Sequence, residues 1–144
     1  MDHPMPARTR EIIRSAKTAV VKIGTQCLTT SAAALNRETM AHLAHEVAAL
    51  RAGGRRVALV SSGAIGAGLG RLGIPKRPTA LPHLQAAAAV GQARLMLAWE
   101  EAFQAHDIRT AQILLTWEDF DHRDRYLNVR HTIHALWDFG AIPI

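Results

Sequence analysis

The 144-residue sequence predicts an α/β protein: a mainly parallel sheet held between helices in a three-layer α/β/α sandwich. Two observations carry that expectation. Short apolar runs alternate with helical stretches of roughly 15–20 residues in the order β-α-β-α-β-α-β, which requires right-handed crossovers between parallel strands. The clearest run, Val57-Ala58-Leu59-Val60, is continuously apolar, as in a strand covered on both faces.

Residues 1–17 read as a polar N-terminal extension. They hold Arg8, Arg10, Arg14 and Lys17, lack the apolar segment of a secretory signal, and suit a short polar helix. The first strand is Thr18 to Ile23, rich in β-branched residues. A Thr-, Ser- and Ala-rich loop, Gly24 to Ala34, leads to Asn36, a suitable cap for the next helix. Met40, Leu43, Val47 and Leu50 give that helix one apolar stripe, and Gly53-Gly54 ends it. After the second strand, five of the ten glycines lie within Ser61 to Gly73, and Pro75 and Pro78 mark a loop. A long helix is expected over about Leu84 to Ala105, with Gly91 either bending it or permitting close packing. The third strand is expected at Ala111 to Leu115. A charged stretch, Asp119 to Arg125, opens a helix whose buried face is Tyr126, Val129, Ile133, Leu136 and Trp137. Gly140 stops it, and Ala141-Ile142-Pro143-Ile144 begins a fourth strand.

Composition narrows the functional classes. Apolar residues make up 49% and charged residues 20%, ordinary for a globular domain with a real core. The net charge of +5 suits anionic substrates, but the basic residues are scattered and no nucleic-acid partner is expected. Cys27 is the only cysteine, which excludes an intrachain disulfide and favours a reducing, cytoplasmic location. On its own it reads as a small buried hydrophobe. The longest uncharged run, Pro78 to Ala93, is too short and too polar to span a bilayer.

Two turns attract functional attention. Lys22 stands at the end of the first strand, beside Gly24. Such a lysine either snorkels to the surface or awaits an anionic ligand, and Gly24 can adopt φ > 0 and bring amides close to an anion. Ser61-Ser62-Gly63 follows the second strand, so in a parallel sheet it shares an edge with the first turn, where ligands bind. Ser62 is either part of such a site or a simple helix cap. Gly68-Leu69-Gly70-Arg71-Leu72-Gly73 matches G-x-G-x-x-G but lies eight residues beyond Val60, a poor position for a dinucleotide fingerprint. There is no P-loop and no G-x-S-x-G elbow. The pairs His42/His45 and His131/His134 lack partners for metal binding and read as solvated helix faces.

Several separated segments, taken in order, resemble the amino-acid kinase family. These are Val20-Val21-Lys22-Ile23-Gly24-Thr25, Val60 to Gly68, Gln85 to Leu95, Gln112 to Thr116, and Arg125 to Arg130 with Thr132. The Ser-Ser-Gly-Ala turn and the Arg-Tyr-Leu-Asn helix resemble the glutamate-phosphorylating branch. The resemblance implies ATP- and Mg2+-dependent phosphorylation of the γ-carboxylate of L-glutamate, the first step of proline biosynthesis. It implies contact of Lys22 with the transferring phosphoryl group, a phosphate cradle at Gly24 and Thr25, and glutamate held by Ser62, Gly63 and Ala64. No metal ligand is expected among these residues. Proline as a feedback inhibitor and a homo-oligomeric full-length enzyme are further implications, as is the absence of a membrane partner. Gln26-Cys27 and Ser61 depart mildly from the family pattern. Residues 18–144 would be the N-terminal, acceptor-binding part of the kinase domain, cut after the fourth strand, with most of the ATP-binding part beyond it. The alternatives are a kinase acting on acetylglutamate, aspartate or carbamate, or a non-catalytic acceptor-binding fragment.

Overall fold

Strands β1 (Thr18–Ile23) and β2 (Arg56–Ser61) pair in parallel, from Thr18 opposite Arg56 to Ile23 opposite Ser61. The computed structural model describes residues 6–30 and 34–144. Residues 1–5 of the expected extension and 31–33 of the expected loop lie outside that range. Side chains alternate along each strand. Ile23, Val57 and Leu59 enter the core, whereas Val20 and Val60 are 67% and 50% exposed on the opposite face. The continuous apolar run of β2 therefore does not mean full cover on both sides.

Helices α3 (Arg37–Ala52) and α5 (Leu81–Gln104) cover the core face. Asn36 caps α3 as expected, its Oδ1 accepting from the Thr39 amide at 3.0 Å. Met40, Ala44 and Val47 are buried, and Leu43 and Leu50 pack beside them. Trp99 and Phe103 of α5 are wholly buried, their ring centroids 5.9 Å apart.

The segment after β1 is not a plain loop. Thr25–Leu28 forms a helical turn, α2. The Gly24 carbonyl accepts from the Cys27 amide at 3.1 Å, and Leu28 drops fully into the core, which fixes the turn. Before β1, helix α1 (Ala7–Ser15) occupies the polar stretch. Arg55 ties down its end by donating to the carbonyls of Ala16 and Arg14 at 3.1 and 3.0 Å.

Helix α4 (Ala64–Leu72) lies directly against α5. A Cβ on Gly68 would stand 1.8 Å from the Ala87 carbonyl oxygen, and one on Gly91 1.8 Å from the Ala64 carbonyl oxygen. The glycines there permit backbone-to-backbone contact, and Gly91 serves packing. Gly73, at φ +64, ends α4. Helix α5 starts three residues earlier than expected because Pro82 sits in its first turn, where a missing N–H costs little.

Strand β3 is Arg109–Ala111, paired in parallel with β4 (Ala141–Pro143). The expected span, Ala111 to Leu115, is corrected on two counts. The ladder begins with the polar Arg109 opposite Ala141, and Leu114 and Leu115, past its last bond, are 75% and 43% exposed. That last bond runs from the Ile113 amide to the Ile144 carbonyl at 2.8 Å. The four strands form two two-stranded ladders, with β4 beside β2 and Ile142 in the core.

Short helix α6 (Glu118–Asp121) and then α7 (Arg123–Asp138) follow β3. Helix α7 forms the third layer; it packs against β4, and its contacts to β2 lie at the Arg56 end. There the Arg56 guanidinium lies 5.7 Å above the Trp137 ring, and the Trp137 indole donates to the Val57 carbonyl at 2.8 Å. No described α7 residue is fully buried, so the buried face expected from Tyr126 to Trp137 is only half covered. Beyond it the sheet opens into an apolar groove of about 570 Å³ lined by Val20, Val60, Leu114, Phe120, Ile133 and Ile144. At the start of α6, the Thr116 amide and hydroxyl donate to Asp119 Oδ2 at 2.6 and 2.9 Å. These bonds, with the Arg125 charge, hold the Asp119 carboxyl below its ordinary value. No described helix is long and apolar enough to cross a membrane.

Gly91→Ala is expected to destabilise the chain by about 3 kcal/mol, because all three clashing atoms are backbone and cannot rotate away. Gly24→Ala, with nothing within 4 Å of the added Cβ, is expected to change stability by less than about 0.5 kcal/mol. Urea unfolding midpoints of the two variants check the contrast.

Candidate functional site

Parallel pairing brings the chain out at one sheet edge twice. Strand β1 passes into Gly24-Thr25 and β2 into Ser62-Gly63-Ala64. The Ser62 amide donates to the Ile23 carbonyl at 3.0 Å, so the ladder continues one step into the second turn and ties it to the end of β1. The two turns singled out from sequence are therefore neighbours.

Lys22 precedes the first turn, opposite Val60 in the register. Alternation puts it on the open face with Val20 and Val60, and it is exposed. The ion pairs among the described residues are Arg37–Glu101, Arg56–Asp138 and Arg125–Glu118; none engages Lys22. Its ammonium thus sits in water beside apolar side chains, without the desolvation cost of a buried strand end.

Gly24 has φ −77° and ψ 158°, an extended conformation, so the left-handed geometry considered for it does not occur. What a glycine contributes here is a bare backbone: nothing lies within 4 Å of the position a Cβ would take. Thr25, exposed, opens α2, and its carbonyl accepts from the Thr29 amide at 3.0 Å and hydroxyl at 2.9 Å. Cys27 is exposed as well, not buried, because α2 turns Leu28 inward in its place.

In the second turn Gly63 is the left-handed residue, at φ +111° and ψ −9°. A side chain there would be strained even though the space around it is ordinary. Gly63 is the N-cap of α4 and has no side-chain cap bond, so Ser62 is not a serine cap. Ser62 is half-buried, and its hydroxyl makes no hydrogen bond among the described residues. Ala64 begins α4, with its carbonyl against Gly91.

One contact at this turn escaped sequence reasoning. The Trp99 indole N–H donates to Ser61 Oγ at 2.9 Å, and Ser61 Oγ donates to the Ser62 carbonyl at 3.1 Å. A lone tryptophan in an alanine-rich helix is the available signal, since a buried indole needs an acceptor. Of the histidines, His42, His45 and His131 are exposed, whereas His134 is half-buried with Nδ1 3.5 Å from the Arg56 guanidinium. Among the described residues no group of three or more His, Cys, Asp or Glu is gathered to hold a metal.

The Amino acid kinase family pattern matches residues 17–144, which include both turns. The chain is 49% identical over 135 residues to a glutamate 5-kinase of Pelobacter propionicus, covering 94% of this chain and 36% of that protein. It is 51% identical over 133 residues to a glutamate 5-kinase of Bordetella petrii (92% of this chain, 35% of the relative). A Thermus thermophilus glutamate 5-kinase is 52% identical over 130 residues (90% and 35%). The chain spans about a third of the length of these relatives. With a parallel α/β scaffold, two adjacent turns at one strand edge and a match over nearly its whole length, this chain belongs to the amino acid kinase family.

Proposed function

We propose that this chain is the acceptor-binding part, residues 18–144, of an enzyme that phosphorylates the γ-carboxylate of L-glutamate with ATP, the first step of proline biosynthesis. The observation that carries the reading is the Ser62 amide bond to the Ile23 carbonyl, which brings the end of β1, with Lys22 and the Gly24-Thr25 turn, beside the Ser62–Ala64 turn. The glutamate 5-kinase relatives supply the substrate, since both turns lie within the aligned region.

In this proposal a γ-carboxylate oxygen attacks the terminal phosphorus of ATP, the bond to the bridging oxygen breaks, and ADP leaves. Such a transfer needs positioning and charge stabilisation more than covalent help. Lys22 is the catalytic residue, its ammonium offsetting negative charge on the transferring group. Gly24 and Thr25 offer main-chain amides to phosphate, and the open space at Gly24 suits that approach. Ser62, Gly63 and Ala64 hold glutamate with the Ser62 hydroxyl and with amides at the positive end of α4. ATP supplies the phosphoryl group, and magnesium, when bound, screens its charge. None of these six residues has a carboxylate, so they do not supply magnesium ligands. A cytoplasmic location, a homo-oligomeric full-length enzyme and feedback by proline belong to the same proposal.

Lys22→Ala, in the chain joined to the complementary part of a glutamate 5-kinase relative, is expected to lower kcat about a hundredfold with little change in the glutamate KM. A raised KM at unchanged kcat contradicts the role given to Lys22. Ser62→Ala is expected to raise the glutamate KM about tenfold and leave the ATP KM nearly unchanged; equal effects on both contradict an acceptor role. The 144-residue chain alone is expected to bind glutamate without phosphorylating it, and to gain turnover when mixed with a complementary part. An ATP-dependent γ-glutamyl hydroxamate assay on the purified chain, with and without that part, reads the difference. Turnover by the chain alone would require an ATP site within these residues.

A further inference from the structure

We infer that Trp99 and Ser61 are positioning residues for the acceptor turn, acting through a two-bond relay that fixes the Ser62 carbonyl. The inference rests on the acceptor role proposed above for Ser62–Ala64. The relay runs from the Trp99 indole to Ser61 Oγ at 2.9 Å and from Ser61 Oγ to the Ser62 carbonyl at 3.1 Å. Trp99 is wholly buried, and the fully covered Leu28 and Leu95 at 2% exposure stand near the turn. An indole so enclosed has few places to direct its N–H, and loss of the acceptor leaves a buried donor unsatisfied.

The geometry explains why a relay is needed. Gly63 must hold φ +111° to start α4, and glycine is the residue least restrained by its own sterics. Ser62 cannot steady the turn by capping, since α4 has no side-chain cap bond. Its amide is fixed from one side by the Ile23 carbonyl, and its carbonyl from the other side by Ser61 Oγ. The peptide between Ser62 and Gly63 is thereby held at its oxygen, which sets where the Gly63 amide points. Trp99 touches neither proposed substrate; it orients the hydroxyl of Ser61, which in turn holds the peptide.

The test uses Trp99→Phe, which keeps the aromatic bulk and deletes the N–H, Ser61→Ala, the double variant, and Ser61→Thr, which keeps the hydroxyl. Val47→Ala in α3 is a control that loosens the core away from the turn. Amide exchange over residues 61–66, read by mass spectrometry on the whole chain, is expected to accelerate about fivefold or more in Trp99→Phe and Ser61→Ala, the scale of one lost hydrogen bond. The double variant is expected to match the worse single variant, because both break one relay. Ser61→Thr is expected to exchange like the parent, and Val47→Ala to leave this segment in its rank among the chain's segments. The glutamate dissociation constant, measured by calorimetry, is expected to rise in the same order. Exchange unchanged in Trp99→Phe, or raised equally by Val47→Ala, overturns the relay. A parent chain that binds no glutamate overturns the acceptor reading instead, while the exchange result decides the relay by itself.

Discussion

Close approach of two helix backbones governs the arrangement around the turns. With no side chain at Gly68 or Gly91, α4 and α5 meet carbonyl to backbone, nearer than any Cβ permits. That contact sets the height of α4 above β2 and therefore the point at which the chain must leave β2 to enter the helix. Gly63 absorbs the resulting change of direction in a left-handed conformation. The same apposition holds α5 where Trp99 reaches Ser61 at the strand end. Helix packing, strand exit and the orientation of the second turn are consequences of one steric permission.

A division of labour follows between the two turns. The first is anchored mainly by its own backbone: Gly24 and Thr25 carbonyls close α2, and Leu28 weights it into the core. The second is anchored by other elements, through Ile23 on one side and Trp99 with Ser61 on the other. A turn closed locally keeps its form with little help, whereas one held from outside depends on the packing of distant helices. Lys22 belongs to neither: it projects from the open strand face that it shares with Val20 and Val60.

Much of this was legible from residue pattern. β1, the Asn36 cap, the stripe on α3, and the stops at Gly53-Gly54 and Gly140 all depend on local chemistry, and the chain obeys it. The placement of both turns at one edge followed from parallel pairing alone. What pattern did not reveal depended on partners distant in sequence. Arg109 and Thr110 look like loop residues until Ala141 and Ile142 pair with them. Val20 and Val60 look like core residues, yet apolarity does not say how far α7 extends over them. Cys27 has the composition of a buried residue, but one helical turn gives the interior position to Leu28. The glycine run offered a dinucleotide-fingerprint spelling, whereas Gly68 serves the approach of α4 to α5 and Gly73 ends α4. Trp99 signals that a buried indole needs an acceptor, but which acceptor it finds, thirty-eight positions away, has no signature in the primary structure.

The alternation of β1 between core and open face gives this strand a parity. Ile23 enters the core, and Lys22, one residue earlier, faces water. Inserting or deleting a single residue between Thr18 and Gly24 while the pairing with β2 stays in place would exchange them, sending an ammonium towards Leu59 and Val57 and an isoleucine outward. Changes of two would restore the facing but shift the lysine along the ladder relative to the second turn. Length variation in descendants of this chain therefore has no neutral step within β1, whereas the connection between Thr29 and Leu35, bridged at its base, can change in size without altering which way Lys22 points.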